Sequence, residues 1–231
     1  MAESAWRDGV RRARAVAWKD LVTERRTKAN FASVVSLATL MLLLFGFALG
    51  PDAAALRAAA AGVLWLTVIF SGTLAFNRSY QLELEDGAIE QLLLYPGDRG
   101  AIFLGKLAAN LVFVLSMEAA VIPVAAVLYH ISPPPAWPML LAVLLLGTFG
   151  FVTLGTFYAV MASRVRSREV VLPLLLFPML VPVLIAAAEA TVALLNGNLM
   201  GDAGAWLRLL VVFDVIFFVA AVLAFPYVVE M

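Results

Sequence analysis

Three acidic side chains lie inside otherwise apolar stretches: Glu118 in "VLSMEAAVIP", Glu189 in "IAAAEATVAL" and Asp214 in "LVVFDVIFF". Buried carboxyls can carry protons or act as general acids and bases. The structural alternative is an uncharged carboxyl hydrogen-bonded to a neighbouring helix. The sole histidine, His130, could serve as an axial haem ligand. A lone histidine at the end of an apolar run is more often an interfacial polar residue. An intramembrane metalloprotease needs several His and Glu ligands on adjacent turns, which one histidine cannot supply. The absence of cysteine excludes disulfides, thiolate metal sites, iron–sulfur clusters and covalent haem attachment through C-x-x-C-H.

One further motif suggests chemistry. "GAIFLGKL", Gly100–Leu107, fits G-x-x-x-x-G-K, but Leu107 stands where Ser or Thr must hold magnesium. No strand precedes it, and Ile102, Phe103 and Leu104 open an apolar run. A phosphate cradle needs exposed backbone N–H groups, which a helix start of this kind does not offer. The chain is therefore expected to carry no ATP site and to bind no cofactor through a motif of its own. Any energy source must come from a partner, and nothing points to nucleic acid.

The elements that hold these residues follow from composition. The chain has 231 residues, 64% of them hydrophobic and 14% charged, with mean hydropathy +0.98. Soluble domains carry about 25% charged residues. This is the composition of an all-α integral membrane protein. About thirty mixed residues precede the first apolar run, so the N-terminus is expected to be retained rather than cleaved as a signal. A spanning helix needs roughly 20 apolar residues. Six stretches qualify: Phe31–Gly50, Ala53–Phe76, Ile102–Tyr129, Trp137–Ala162, Val170–Leu195 and Ala205–Val229.

Basic residues set the expected orientation. Arg7, Arg11, Arg12, Arg14, Lys19, Arg25, Arg26 and Lys28 precede the first span. Arg78, Arg99 and Lys106 flank the second connection, and Arg164, Arg166 and Arg168 flank the fourth. Only Arg57 and Arg208 fall on the opposite side. Both termini are thus expected in the cytoplasm of a bacterial cell, with the spans in its inner membrane.

Two parts are expected, residues 1–30 and the six-span domain 31–231. In the first, Trp6, Val10, Ala13, Ala17 and Leu21 form an apolar stripe on a basic helix. Such a helix lies in the membrane interface. It serves either as a charge anchor or as an elbow that orients the first span or meets a partner. Within the spans, Gly46 and Gly50 form a small-x-x-x-small pair that permits close helix approach. Pro173, Pro178 and Pro182 punctuate the fifth span and are expected to kink it.

The connection "NRSYQLELEDGAIEQLLL", Asn77–Leu94, is acidic and amphipathic. Glu83, Glu85 and Asp86 are expected near the start of a short helix, where negative charge suits the dipole. Leu82, Ile89, Leu92 and Leu93 share a face, and Gly87 and Glu90 lie between them. The segment is either an interfacial loop helix or a docking helix that enters a cleft on a cytoplasmic partner. Its acidity favours docking, because acids gain nothing beside an anionic leaflet.

On these residues the chain resembles a known family. "GAIEQLLLYPGDRGAIFLGKLAAN", Gly87–Asn110, resembles the coupling segment of ABC-2 type permeases. "WKDLVTERRTKANF", Trp18–Phe31, resembles the start of the cytochrome c maturation permease, the heme exporter protein B (CcmB) family. "VLPLLLFPMLVPVLIAA", Val171–Ala187, and Trp206–Glu230 are similar to its fifth and last spans. Ala88 and Asn77 depart from residues common in the family. The resemblance implies a non-enzymatic permease subunit of an ABC-2 type bundle, its cytoplasmic coupling helix spanning Glu83 to Leu93. It implies a cytosolic ABC ATPase (CcmA-like) that uses ATP, a haem-handling membrane protein (CcmC-like), a periplasmic haem chaperone, and a homodimer within the complex. Haem would be the cargo of that complex. The alternative is an ABC-2 exporter for a drug, lipid or glycan. Asp214 is the first choice among the intramembrane acids because it lies in a family-like stretch.

Overall fold

The computed structural model describes residues 2–85, 99–132, 134–163, 168–197 and 202–230. They form seven helices: α1 Ala2–Thr27, α2 Ala29–Leu49, α3 Ala53–Glu85, α4 Arg99–Leu128, α5 Trp137–Ser163, α6 Arg168–Leu195 and α7 Asp202–Glu230. All but α1 are long and apolar enough to cross a membrane. The fourth of these spans, Trp137–Ala162, has the bounds expected from sequence.

α3 overturns one expectation. It runs unbroken to Glu85, so Glu83 and Glu85 belong to its last turns and do not begin a new helix. No glycine or proline interrupts Phe76–Glu85, and Gln, Leu and Glu are good helix formers. Glu83 and Glu85 lie many turns from the α3 N-terminus, so the charge argument for a helix start does not apply to them. At 1.5 Å per residue, the eight residues beyond Asn77 carry α3 about 12 Å past its apolar span.

α5 is the hub, packing against α3, α4, α6 and α7. Small residues make this possible, because close helix approach in a membrane depends on van der Waals fit. Trp65 of α3 lies over bare Gly147, and Phe76 of α3 lies over Gly155. Phe151 in turn fills the space left by Gly72 of α3, and its ring centroid is 5.2 Å from that of Phe76. Trp65, 1% exposed, donates its indole N–H to Thr191 Oγ1 of α6 at 3.1 Å. By contrast α2 is peripheral and meets mainly α3 and α4.

Gly46 and Gly50 do not act as a pair. Gly46 faces the Tyr129 hydroxyl, which donates to the Leu42 carbonyl at 2.9 Å. Gly50 ends α2 at φ 77°, a conformation glycine adopts without a Cβ penalty, and no neighbour lies within 4 Å of where its Cβ would be. α6 is helical through all three of its prolines. Leu172, Leu176, Leu180, Val183, Ala187 and Leu194 form its buried face, whereas Pro178 and Pro182 are exposed. Across one end of the bundle, Arg57 Nε donates to the His130 carbonyl at 3.1 Å. That bond places the start of α3 and the end of α4 side by side.

Candidate functional site

The elbow between α1 and α2 turns on one residue. Lys28 adopts φ 36°, a left-handed conformation uncommon outside glycine. Its N–H donates to the Glu24 carbonyl at 3.1 Å, and its own carbonyl accepts from Ala32 N–H at 2.9 Å. A side-chain bond braces the bend: Asn30, 2% exposed, donates Nδ2–H to Glu24 Oε2 at 3.1 Å.

From this elbow α1 runs back along the first turns of α4. Gly105 is the contact point. A Cβ there would meet the Ala13 carbonyl and the Val16 side chain, so the absence of one lets the α1 backbone sit against α4. Val16 is buried. One turn on, Asp20 Oδ2 lies 3.8 Å from Lys106 Nζ, and Asp20 Oδ1 lies 2.8 Å from Lys19 Nζ. Lys106 is 4% exposed. The Gly-Lys pair of the phosphate-loop lookalike therefore has a packing role, and Gly100–Lys106 lies within a helix.

This seam corrects the reading of α1. The face against α4 is Ala13, Val16 and Asp20, whereas Val10 and Trp18 are 49% and 68% exposed. Of the expected stripe, Ala13 meets α4 at Gly105, Leu21 lines a cavity with Ala109 and Phe113 of α4, and Val10 is exposed. Asp20, Glu24 and Asn30 escape a search for apolar periodicity. The available signal is an acid one turn beyond Val16 in a basic helix, with a glycine-lysine pair far along the chain.

The segment expected to dock a partner, Glu83 to Leu93, falls largely outside the described residues. Asp86, Gly87, Ile89, Glu90, Leu92 and Leu93 lie outside the described residues, as do the side chains of Glu83 and Glu85. The described parts are its anchors, the end of α3 at Glu85 and the start of α4 at Arg99. The turns of α4 that follow Arg99 are those that α1 covers.

The intramembrane acids do not gather at one point. Glu118, 3% exposed, accepts from Thr148 Oγ1 at 2.5 Å. Asp214, 4% exposed, lies against Gly150, where a Cβ would fall 2.5 Å from Oδ1, and neither of its oxygens has a hydrogen-bond partner. Thr148 and Gly150 are two residues apart on α5, so these acids approach it from different sides. Glu189 is on the exposed surface of α6. Among the described residues no three His, Asp or Glu side chains could hold one metal ion. His130 is exposed at φ 53°, beside a cavity of about 520 Å³ that Arg57, Ser132 and Asn196 also line.

A six-span helical bundle with an N-terminal elbow is the architecture of a multi-pass membrane permease. The sequence model of the CcmB protein family matches residues 11–231, and the chain belongs to that family. It is similar to heme exporter protein B of Paracoccus denitrificans, 35% identical over 173 residues, which is 74% of this chain and 78% of the relative. The protein of the same name from Rhodobacter capsulatus is 32% identical over 76% of this chain and 80% of its own length. That of Pseudomonas aeruginosa is 28% identical over 74% and 77%.

Proposed function

We propose that this chain is the permease subunit of an ABC-type transporter for c-type cytochrome biogenesis in the bacterial inner membrane, with haem as the cargo of the complex. The observation that carries the reading is the family match, which runs from α1 through α7 and includes the elbow, the seam and all six spans. Both termini lie in the cytoplasm, as the bias of Lys and Arg supports.

A cytosolic ATPase docks on the segment from Glu83 to Leu93. Ile89, Leu92 and Leu93 enter its cleft, and Glu85, Asp86 and Glu90 set register at the rim. The chain supplies no nucleotide chemistry. It converts ATP-driven movement of that subunit into movement of the bundle, acting as a homodimer. The geometry supports a route. A push on the segment reaches α4 at Arg99, and α1 is seated on Gly105 and Lys106 of the same helix. The elbow and third span then move as one piece. The movement releases a haem-loaded periplasmic chaperone from a haem-handling membrane partner. The lack of a tryptophan-rich haem motif favours this mechanical role over passage of haem through the subunit.

The test is co-purification. Ile89→Asp places a charge in the apolar cleft, where full burial of the isoleucine contributes on the order of 1.5–3 kcal/mol. The ATPase is expected to be lost while the permease still inserts. An ATPase that stays bound to Ile89→Asp, with maturation of c-type cytochromes intact, removes the docking claim.

A further inference from the structure

The elbow leaves a groove of about 690 Å³ open where α1 and α2 part at Lys28. Val112 and Phe113 of α4 line it together with Leu21 of α1 and Phe31 of α2. The Phe31 and Phe113 rings meet edge-on with centroids 5.7 Å apart. Trp18 and Val112 expose 68% and 46% of their surface there, so the apolar walls are uncovered. Charge enters the lining through Arg25 and Lys28, both exposed, and Glu24. The glutamate is turned inward: Oε2 accepts from Asn30, and Oε1 is buried. What faces outward at the rim is cationic.

We infer that this groove binds one anionic phospholipid, with an acyl chain along Leu21, Phe31 and Phe113 and the phosphate between Arg25 and Lys28. An apolar cleft with cations at its rim is the complement of an acidic amphiphile. A soluble anion would leave the aromatic walls wet, and an apolar protein segment would leave two cations unpaired. The volume lies within the roughly 300–1,000 Å³ range of cavities that enclose small ligands. Trp18 beside the cations matches the preference of tryptophan for headgroup depth. Basic residues beside a membrane favour acidic headgroups. A lipid seated here wedges α1 from α2 and holds the elbow at its angle. The site rests on elbow geometry alone, independent of ATPase docking and of which end faces the cytoplasm.

The full chain is reconstituted in nanodiscs containing equal parts phosphatidylglycerol and phosphatidylcholine. Lipids that remain bound are counted by native mass spectrometry. Phosphatidylglycerol is expected to be retained over phosphatidylcholine by about thirtyfold, the combined effect of two charge contacts. Arg25→Gln with Lys28→Gln should abolish the preference. Arg11→Gln with Arg14→Gln removes the same charge elsewhere on α1 and should leave it intact. Ala32→Phe fills the groove and should lower retention of both lipids, which tests the acyl part without touching charge. Equal loss in the two charge variants would reduce the effect to general attraction and overturn the site. So would equal retention of the two lipids by the unmodified chain, full retention in Ala32→Phe, or displacement of the lipid by inorganic phosphate alone.

Discussion

Lys106 Nζ stands 3.8 Å from Asp20 Oδ2 across the seam of α1 and α4, with side-chain exposures of 5% and 18%. Asp20 also holds Lys19 Nζ at 2.8 Å, so Lys106→Met leaves the acid a cation, whereas Asp20→Ala takes the acid from both lysines. Removing one partner of a buried pair is destabilising, so both variants should lose stability and Asp20→Ala should lose more. Thermal unfolding in mild detergent distinguishes them. Equal losses would deny the asymmetry. In the proposed complex Lys106→Met should also leave ATP turnover intact, since Lys106 is buried against α1.

Gly155 lies beneath the Phe76 ring, where a Cβ would overlap the ring atoms. Phe76 is 1% exposed and cannot swing into open space. Gly155→Ala should cost roughly 1–3 kcal/mol through overpacking. Gly62→Ala, with nothing within 4 Å, should be neutral or slightly stabilising. The two melting temperatures, measured side by side, test the close fit of α3 against α5, and equal values would deny it.

Asp214 is buried against Gly150 with neither oxygen hydrogen-bonded. Asp214→Asn conserves shape and removes the acid. If the carboxyl takes part in the working cycle, this variant assembles normally and matures cytochrome c poorly. Full maturation with Asn, together with failed assembly in Asp214→Leu, would leave the side chain only a structural task.

Orientation can be read by labelling, because the chain has no cysteine of its own. Ser132, just beyond the α4 turn and exposed, should react from outside the cell once replaced by cysteine. Cysteine at Ser167 should not. The reverse pattern would invert every statement about which side the ATPase approaches.

Span positions are legible from sequence because crossing a bilayer demands a run of about twenty apolar residues, a local property. Trp137–Ala162 shows this directly. The face each helix presents is not local. Val16 is buried and Val10 exposed because Gly105 and Lys106 select what lies against α4, and those residues are distant in the chain. By spacing Gly50 reads as a packing partner of Gly46, and before Pro51 and Asp52 it reads as a turn; its φ of 77° bears out the turn. α3 continues to Glu85 because no glycine or proline between Phe76 and Glu85 stops it. The three intramembrane acids read alike in sequence. Their differences arise from Thr148, from Gly150 and from the open side of α6, none of which a single apolar run reveals.

The seat of α1 on Gly105 also orders the birth of the protein. The elbow helix leaves the ribosome before the first span, yet the surface that covers Ala13 and Val16 belongs to the third. Two complete spans must be made and inserted while α1 waits with its final contact face bare. A helix carrying Arg7, Arg11, Arg12 and Arg14 beside apolar Val10 and Trp18 can wait on the membrane surface. Its basic charge thus serves nascent-chain biogenesis as well as the finished molecule, and a chain truncated before residue 99 should leave α1 open to protease.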